Sequence, residues 1–202
     1  SAHAGAVFSI NYGNLELFSH LEEKGIPVIV LNNNNYQDLF WSVLADDIQG
    51  AHDGALRLIE MGHKRIAYAE YKRENDAVVA ERFSGFRIAL EKNKLDFPGN
   101  YKISIDIEDK AGLKTRIQEI MSLENPPTAM FVHDDYFAAI IHTILKDLGY
   151  QIPENISMLC PGDVLDYIEV FYPAFSTMQV DRNLMIRMAW DLLISKLGSS
   201  SG

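Results

Sequence analysis

The sequence predicts an α/β protein built on parallel sheets, and two stretches carry most of that prediction. The first is DDIQGAHDGALRLIEMGHKRIAY, residues 46–68. Ala51, Ala55, Leu58 and Ile59 recur at helical intervals, so the segment has one apolar face. Gly62 supplies the left-handed residue that ends such a helix, and Lys64 and Arg65 follow where the carbonyl end favours cations. Ile66, Ala67 and Tyr68 then begin a strand. A helix that returns directly into a short apolar strand is one unit of a parallel sheet, and such sheets place ligands at strand ends. The second stretch is IPVIVL, residues 26–31, a continuous apolar run of the kind that forms a strand covered on both faces.

Strand and helix signals alternate along the rest of the chain. Gly5 to Ile10 reads as a short strand and Leu15 to Glu23 as an amphipathic helix closed by Gly25. After the strand at 26–31 come four asparagines, Asn32 to Asn35, a turn-rich loop at that strand's carboxyl end. Ser42 to Ala45 reads as a strand leading into the helix described above. Ala80 to Asn93 is expected to be helical, Lys102 to Asp106 a strand and Ala111 to Leu123 a helix. Pro126 and Pro127 break the chain before a strand at Ala129 to Val132. Tyr136 to Leu148 reads as a helix stopped by Gly149, and Ile156 to Cys160 as a strand. Phe175 to Val180 leads to a last helix over Asn183 to Leu197, and Gly198 to Gly202 reads as a flexible tail.

Composition excludes several classes of function. The 202 residues are 48% hydrophobic, enough for one large or two small packed domains. Acidic residues outnumber basic ones, 28 to 18, for a net charge of −10. The basic residues are scattered, whereas gripping phosphates requires a concentrated cationic face. Cys160 is the single cysteine, so no disulfide framework or cysteine metal site is available, and one free thiol fits a reducing cytoplasm. No apolar run reaches the length of about 18 residues that a membrane span needs. His133, Asp134 and His142 lack metal-ligand spacing on one helix face, Cys160 has no histidine partner, and no phosphate loop or nucleophile elbow occurs. Neither metal, cofactor nor enzymatic activity is expected. His63, just after Gly62, reads as a packing and capping residue.

Five strings are specific in their spelling: LIEMGHKRIAY (58–68), ERFSGFRIALEKN (81–93), PPTAMFVHDD (126–135), GYQIPENISML (149–159) and PAFSTMQVD (173–181). In this order and spacing the chain resembles the effector-binding domain of bacterial LacI/GalR-type transcriptional repressors over nearly all of residues 1–197. The resemblance implies a periplasmic-binding-protein-like fold: two Rossmann-like, parallel-sheet subdomains joined by three crossover strands, with a small ligand, usually a sugar or nucleobase, held between them. Residues 1–45 with 176–197 would belong to the N-terminal subdomain, 46–175 to the C-terminal one, and 198–202 to the tail. It further implies that a helix-turn-helix headpiece and roughly two βα units precede Ser1, and that the last strands follow Leu197.

The resemblance also implies a set of ligand contacts at strand ends. Arg82, expected at the start of a helix and followed by Gly85 and Phe86, matches an arginine that forks onto ligand oxygens, as a planar donor pair suits. Asp134 is assigned to the ligand and Asp135 mainly to capping the helix from Tyr136. Asn32 ends the strand 26–31 where sugar-binding relatives are often acidic, and an amide there both donates and accepts. Two departures bear on the ligand. After Cys160 the chain runs Pro161, Gly162, Asp163 in place of a Gly-aromatic-Asp run, leaving Asp163 as a shifted contact. Ile107 stands where relatives that stack a flat ligand often carry an aromatic, which disfavours a stacked purine unless Tyr71 or Phe40 substitutes.

The function implied is that of a ligand-sensing, dimerising effector domain of a cytoplasmic transcriptional regulator, binding a small-molecule effector, with a sugar or related metabolite as the expected class. Operator DNA would be reached through a headpiece outside this chain, and no membrane partner is expected. The alternative is a periplasmic sugar-binding protein of a transporter or receptor. The GHKRI and PPTAMFVHDD spellings favour the regulator.

Overall fold

The computed structural model describes residues 6–9, 15–72, 76–162 and 175–199. The chain divides into two compact units, one formed by Ser1–Ala45 with Asp181–Gly202 and the other by Asp46–Val180.

In the smaller unit, strands β1 (Ala6–Ser9), β2 (Val28–Leu31) and β3 (Trp41–Val43) form a parallel sheet in that order. Helices α1 (Leu15–Glu23) and α6 (Arg182–Ser199) accompany it. Alternation along β2 splits its side chains between two apolar clusters. Val28 and Val30 join Phe18 and Phe40, while Ile29 and Leu31 join Val43, Ala189 and Leu193 from α6. The last helix runs through Ser199, so Gly198 is helical where a tail was expected.

The larger unit holds a parallel sheet of five strands in the order β5-β4-β6-β7-β8. The strands are β4 (Ile66–Tyr71), β5 (Lys102–Ile105), β6 (Ala129–Val132), β7 (Ser157–Pro161) and β8 (Ser176–Met178). β8 is hydrogen-bonded beside β7, so the second passage between units falls at Val180–Asp181 rather than before Ser176. Helices α2 (Asp47–Glu60) and α3 (Ala77–Lys92) cover one face of the sheet. Their Ala51, Ala55, Leu58, Phe86 and Leu90 pack on Ile66, Tyr68 and Phe131. Helices α4 (Lys110–Met121) and α5 (Asp135–Asp147) cover the other, against Ala67, Ala69, Met130 and Val132. Tyr68 and Phe131 are register partners whose rings stack 5.8 Å apart at 7°.

The termination of α2 follows from its residues. Gly62 adopts φ +95°, and its N–H donates to the Ile59 carbonyl while that of His63 donates to Leu58. This pair of bonds satisfies carbonyls the helix leaves open, and a side chain at Gly62 would strain that backbone.

Strand order reverses direction around β4: the chain goes from β4 to β5 on one side and then to β6 on the other. In open parallel sheets this reversal opens a crevice at the carboxyl ends of the two strands that flank it.

Candidate functional site at the carboxyl ends of β4 and β6

Tyr71 ends β4, and His133 and Asp134 follow β6. Asp134 has an extended backbone, φ −150° and ψ 171°, and its Oδ1 accepts the Phe137 N–H at 2.7 Å. Its other oxygen, Oδ2, accepts the Tyr71 hydroxyl at 2.6 Å. The helix cap is therefore Asp134 and not Asp135, because the capping residue must keep extended backbone while the next residue is already helical. Asp135 lies in the first turn of α5 and is 4% exposed. A Cβ placed on Gly162, at φ +103°, would lie 3.1–3.2 Å from that carboxyl group, so glycine lets the end of β7 close against it.

Arg82 sits in the second turn of α3, not at its start. Asp76 caps that helix earlier than periodicity predicts, accepting the N–H groups of Val78 and Val79 at 3.0 and 3.3 Å. The guanidinium Nε donates to Asp47 Oδ1 at 2.7 Å, and Nη1 donates to the His133 carbonyl at 2.8 Å. The Arg82 and Asp47 side chains are 11% and 5% exposed, so water screens their attraction weakly. Asp47 Oδ2 is buried without a hydrogen-bond partner among the described residues. Nη2 of Arg82 makes no hydrogen bond among them either. The His133 ring packs edge-on to Tyr71, 5.1 Å between centroids, with Nε2 3.8 Å from Asp134 Oδ2.

Arg82, Asp134 and Tyr71 are thus brought together on one rim of the larger unit. Ile107, just beyond β5, is partly buried and packs against the α4/α5-side core. Asn32 belongs to the smaller unit. Its backbone is left-handed at φ +50°, its N–H donates to Val43 at 2.8 Å, and its Oδ1 is buried with no partner among the described residues. Asp163 lies outside the described residues. Sequence reasoning missed Asp47 and the His133 carbonyl. Asp46 caps α2 by accepting the Gln49 N–H at 2.8 Å, and a second carboxylate immediately after it was the available signal for Asp47; a backbone acceptor leaves none.

Burial pushes the Cys160 thiol well above its ordinary range, with the Asp135 and Asp134 charges adding to the effect and Arg82 opposing it. Burial likewise pushes the Tyr68 hydroxyl up.

A doubly wound parallel sheet with a buried cation and carboxylates at its switch point defines a small-ligand-binding class of α/β domain. Residues 55–201 match the family described as periplasmic binding protein-like domain, and the chain belongs to that family. Proteins named as transcriptional repressors and LacI family regulators are among those similar to it. The chain is 26% identical over 183 residues to the HTH-type transcriptional repressor PurR of Klebsiella pneumoniae strain 342, covering 90% of this chain and 53% of that protein. It thus spans about half the length of the curated relatives it matches. Among solved structures, a LacI family transcriptional regulator from Enterococcus faecium with bound ribose superposes with TM-score 0.76 at 22% identity, over 98% of this chain and 72% of that one. The transcriptional regulator CelR–cellobiose complex gives TM-score 0.76 at 20% identity, over 98% and 60%. Among the described residues no helix is long and apolar enough to cross a membrane.

Proposed function

We propose that this chain is the ligand-sensing part of a cytoplasmic LacI/GalR-type transcriptional regulator. In this reading a small polar effector, of the sugar class, binds at the carboxyl ends of β4 and β6 with Arg82 as the principal donor. One observation carries it: Arg82 is almost withdrawn from water and held on two protein acceptors, yet keeps Nη2 uncommitted. Burying a guanidinium is costly, and a planar donor group fixed in this way is pre-organised for a ligand oxygen. The ribose and cellobiose bound to relatives of the same fold support the ligand class. Two other groups of the rim serve structure rather than chemistry: Asp134 caps a helix, and burial raises the Cys160 thiol well above its ordinary range.

DNA recognition would be the work of another part of the parent protein, acting as a homodimer, because the −10 charge of this chain repels phosphates. Ligand binding would act by shifting the populations of pre-existing conformations. The test is calorimetry and thermal shift of this chain with ribose, cellobiose and related sugars. A binding sugar raises the melting temperature by mass action. Arg82→Ala should cost roughly 1.5–3 kcal/mol of that affinity, the loss of a charge-assisted contact. Unchanged affinity in this variant refutes the assignment.

A further inference from the structure

A lone buried arginine at a ligand site would attract anions, and this one is not electrostatically free. Asp47 Oδ1 takes its Nε at 2.7 Å with both side chains mostly out of water. At that separation and burial the carboxylate cancels the guanidinium's field over the distances at which a ligand sits. Nη1 is committed to the His133 carbonyl, which fixes the plane of the group and leaves the Nη2 corner. Asp134 and the nearly buried Asp135 stand close by on the same rim. Among the described residues, the remaining sources of positive charge there are His133, itself beside Asp134, and Lys72, which follows β4 and is exposed to water.

We propose that Asp47 is the specificity-determining residue of this site: by neutralising Arg82 it admits an uncharged, hydroxyl-bearing effector and bars carboxylates and phosphates. The proposal rests on the sensing role assigned to Arg82 above. A hydroxyl oxygen can accept from Nη2 without adding charge. A carboxylate or phosphate would set a further negative charge beside Asp47 and Asp134 in a site where water screens poorly, and one hydrogen bond does not offset that repulsion. Asp47→Asn keeps the shape and an acceptor oxygen for Nε while removing the charge.

The experiment uses the 202-residue chain with inorganic phosphate and with two matched pairs of probes, ribose against ribose 5-phosphate and glucose against glucuronate. In the unaltered chain the neutral member of a pair raises the melting temperature, while its anionic counterpart and phosphate do not. In D47N, phosphate affinity rises roughly tenfold or more, and D47N/R82Q abolishes the gain. Stabilisation of the unaltered chain by an anionic member, lost in R82Q, overturns the charge rule and leaves the sensing function standing. If no sugar stabilises the chain but D47N gains Arg82-dependent phosphate binding, the charge rule stands and the sugar-sensing reading falls. A folded D47N that gains no phosphate affinity overturns the proposal. Should D47N fail to fold, the neutral-against-anionic comparison in the unaltered chain decides it alone.

Discussion

Gly85 of α3 lies directly against the backbone of α2 at Ile48: a Cβ on Gly85 would fall 2.1 Å from the Ile48 carbonyl oxygen and 3.0 Å from the His52 nitrogen. The two helices therefore cross backbone to backbone. Ile48 adjoins Asp47, and Gly85 lies three residues beyond Arg82, about one turn along α3, so this contact sets the approach of the buried ion pair. Gly85→Ala should destabilise the chain by about 1–3 kcal/mol, because backbone cannot step aside as a side chain can. That outcome is expected although alanine favours a helix by up to about 1 kcal/mol over glycine. Urea denaturation measures it, and an unchanged midpoint would show that the helices can part freely.

Asp134 divides its oxygens between the α5 cap and the Tyr71 hydroxyl. Asp134→Ala should cost about 1 kcal/mol for the cap and a further ~1 kcal/mol for the second bond. Tyr71→Phe removes only the latter. The double variant should therefore be less destabilised than the sum of the singles, as partners in one network are. Additive losses in chemical denaturation would show the two groups to be independent.

Local signals were the legible part of this fold. The bounds of α1 and of β6 follow from periodicity, and the ends of three helices follow from Gly25, Gly62 and Gly149, each of which has a positive φ. The sequence places the start of this helix at Ala80, whereas Asp76 caps a helix that already includes Val78 and Val79, branched residues of low helix propensity. Asp134 and Asp135 are chemically identical neighbours, and only backbone conformation separates cap from first turn. The Arg82–Asp47 bond joins residues 35 positions apart, and no local pattern encodes a partner at that distance. Arginine alone was therefore visible as a candidate, and the carboxylate that governs its charge was not.

Cys160 is buried on β7, its thiol raised by that burial and by the carboxylates of Asp135 and Asp134. Alkylation depends on thiolate and access. Iodoacetamide labelling of the native chain near neutral pH should be slow and should accelerate in step with urea unfolding. Rapid labelling before the unfolding transition would show that β7 opens locally.

His63 joins the loop after α2 to the strand pair β4/β6: its Nδ1 lies 3.0 Å from Thr128 Oγ1, while the Thr128 N–H donates to the Arg65 carbonyl at 2.8 Å. Burial holds its imidazole below the ordinary value of 6.5. In the unfolded chain the ring regains that ordinary value, so on acidification the unfolded state takes up the proton first. The stability linked to His63 is thus fully present above about pH 6.5 and is lost as pH falls toward and through the folded-state value. Glu22 and Asp53 titrate in a separate, lower window. Burial works to raise Glu22 but is outweighed by its bonds from Lys196 and the Val28 N–H, and the hydrogen bond with His52 is the main cause that lowers Asp53. Between about pH 7.5 and about pH 5.5 the melting temperature should therefore fall, and His63→Gln, which keeps a neutral hydrogen-bonding group, should flatten the slope. Identical slopes for the two proteins would place the acid sensitivity elsewhere.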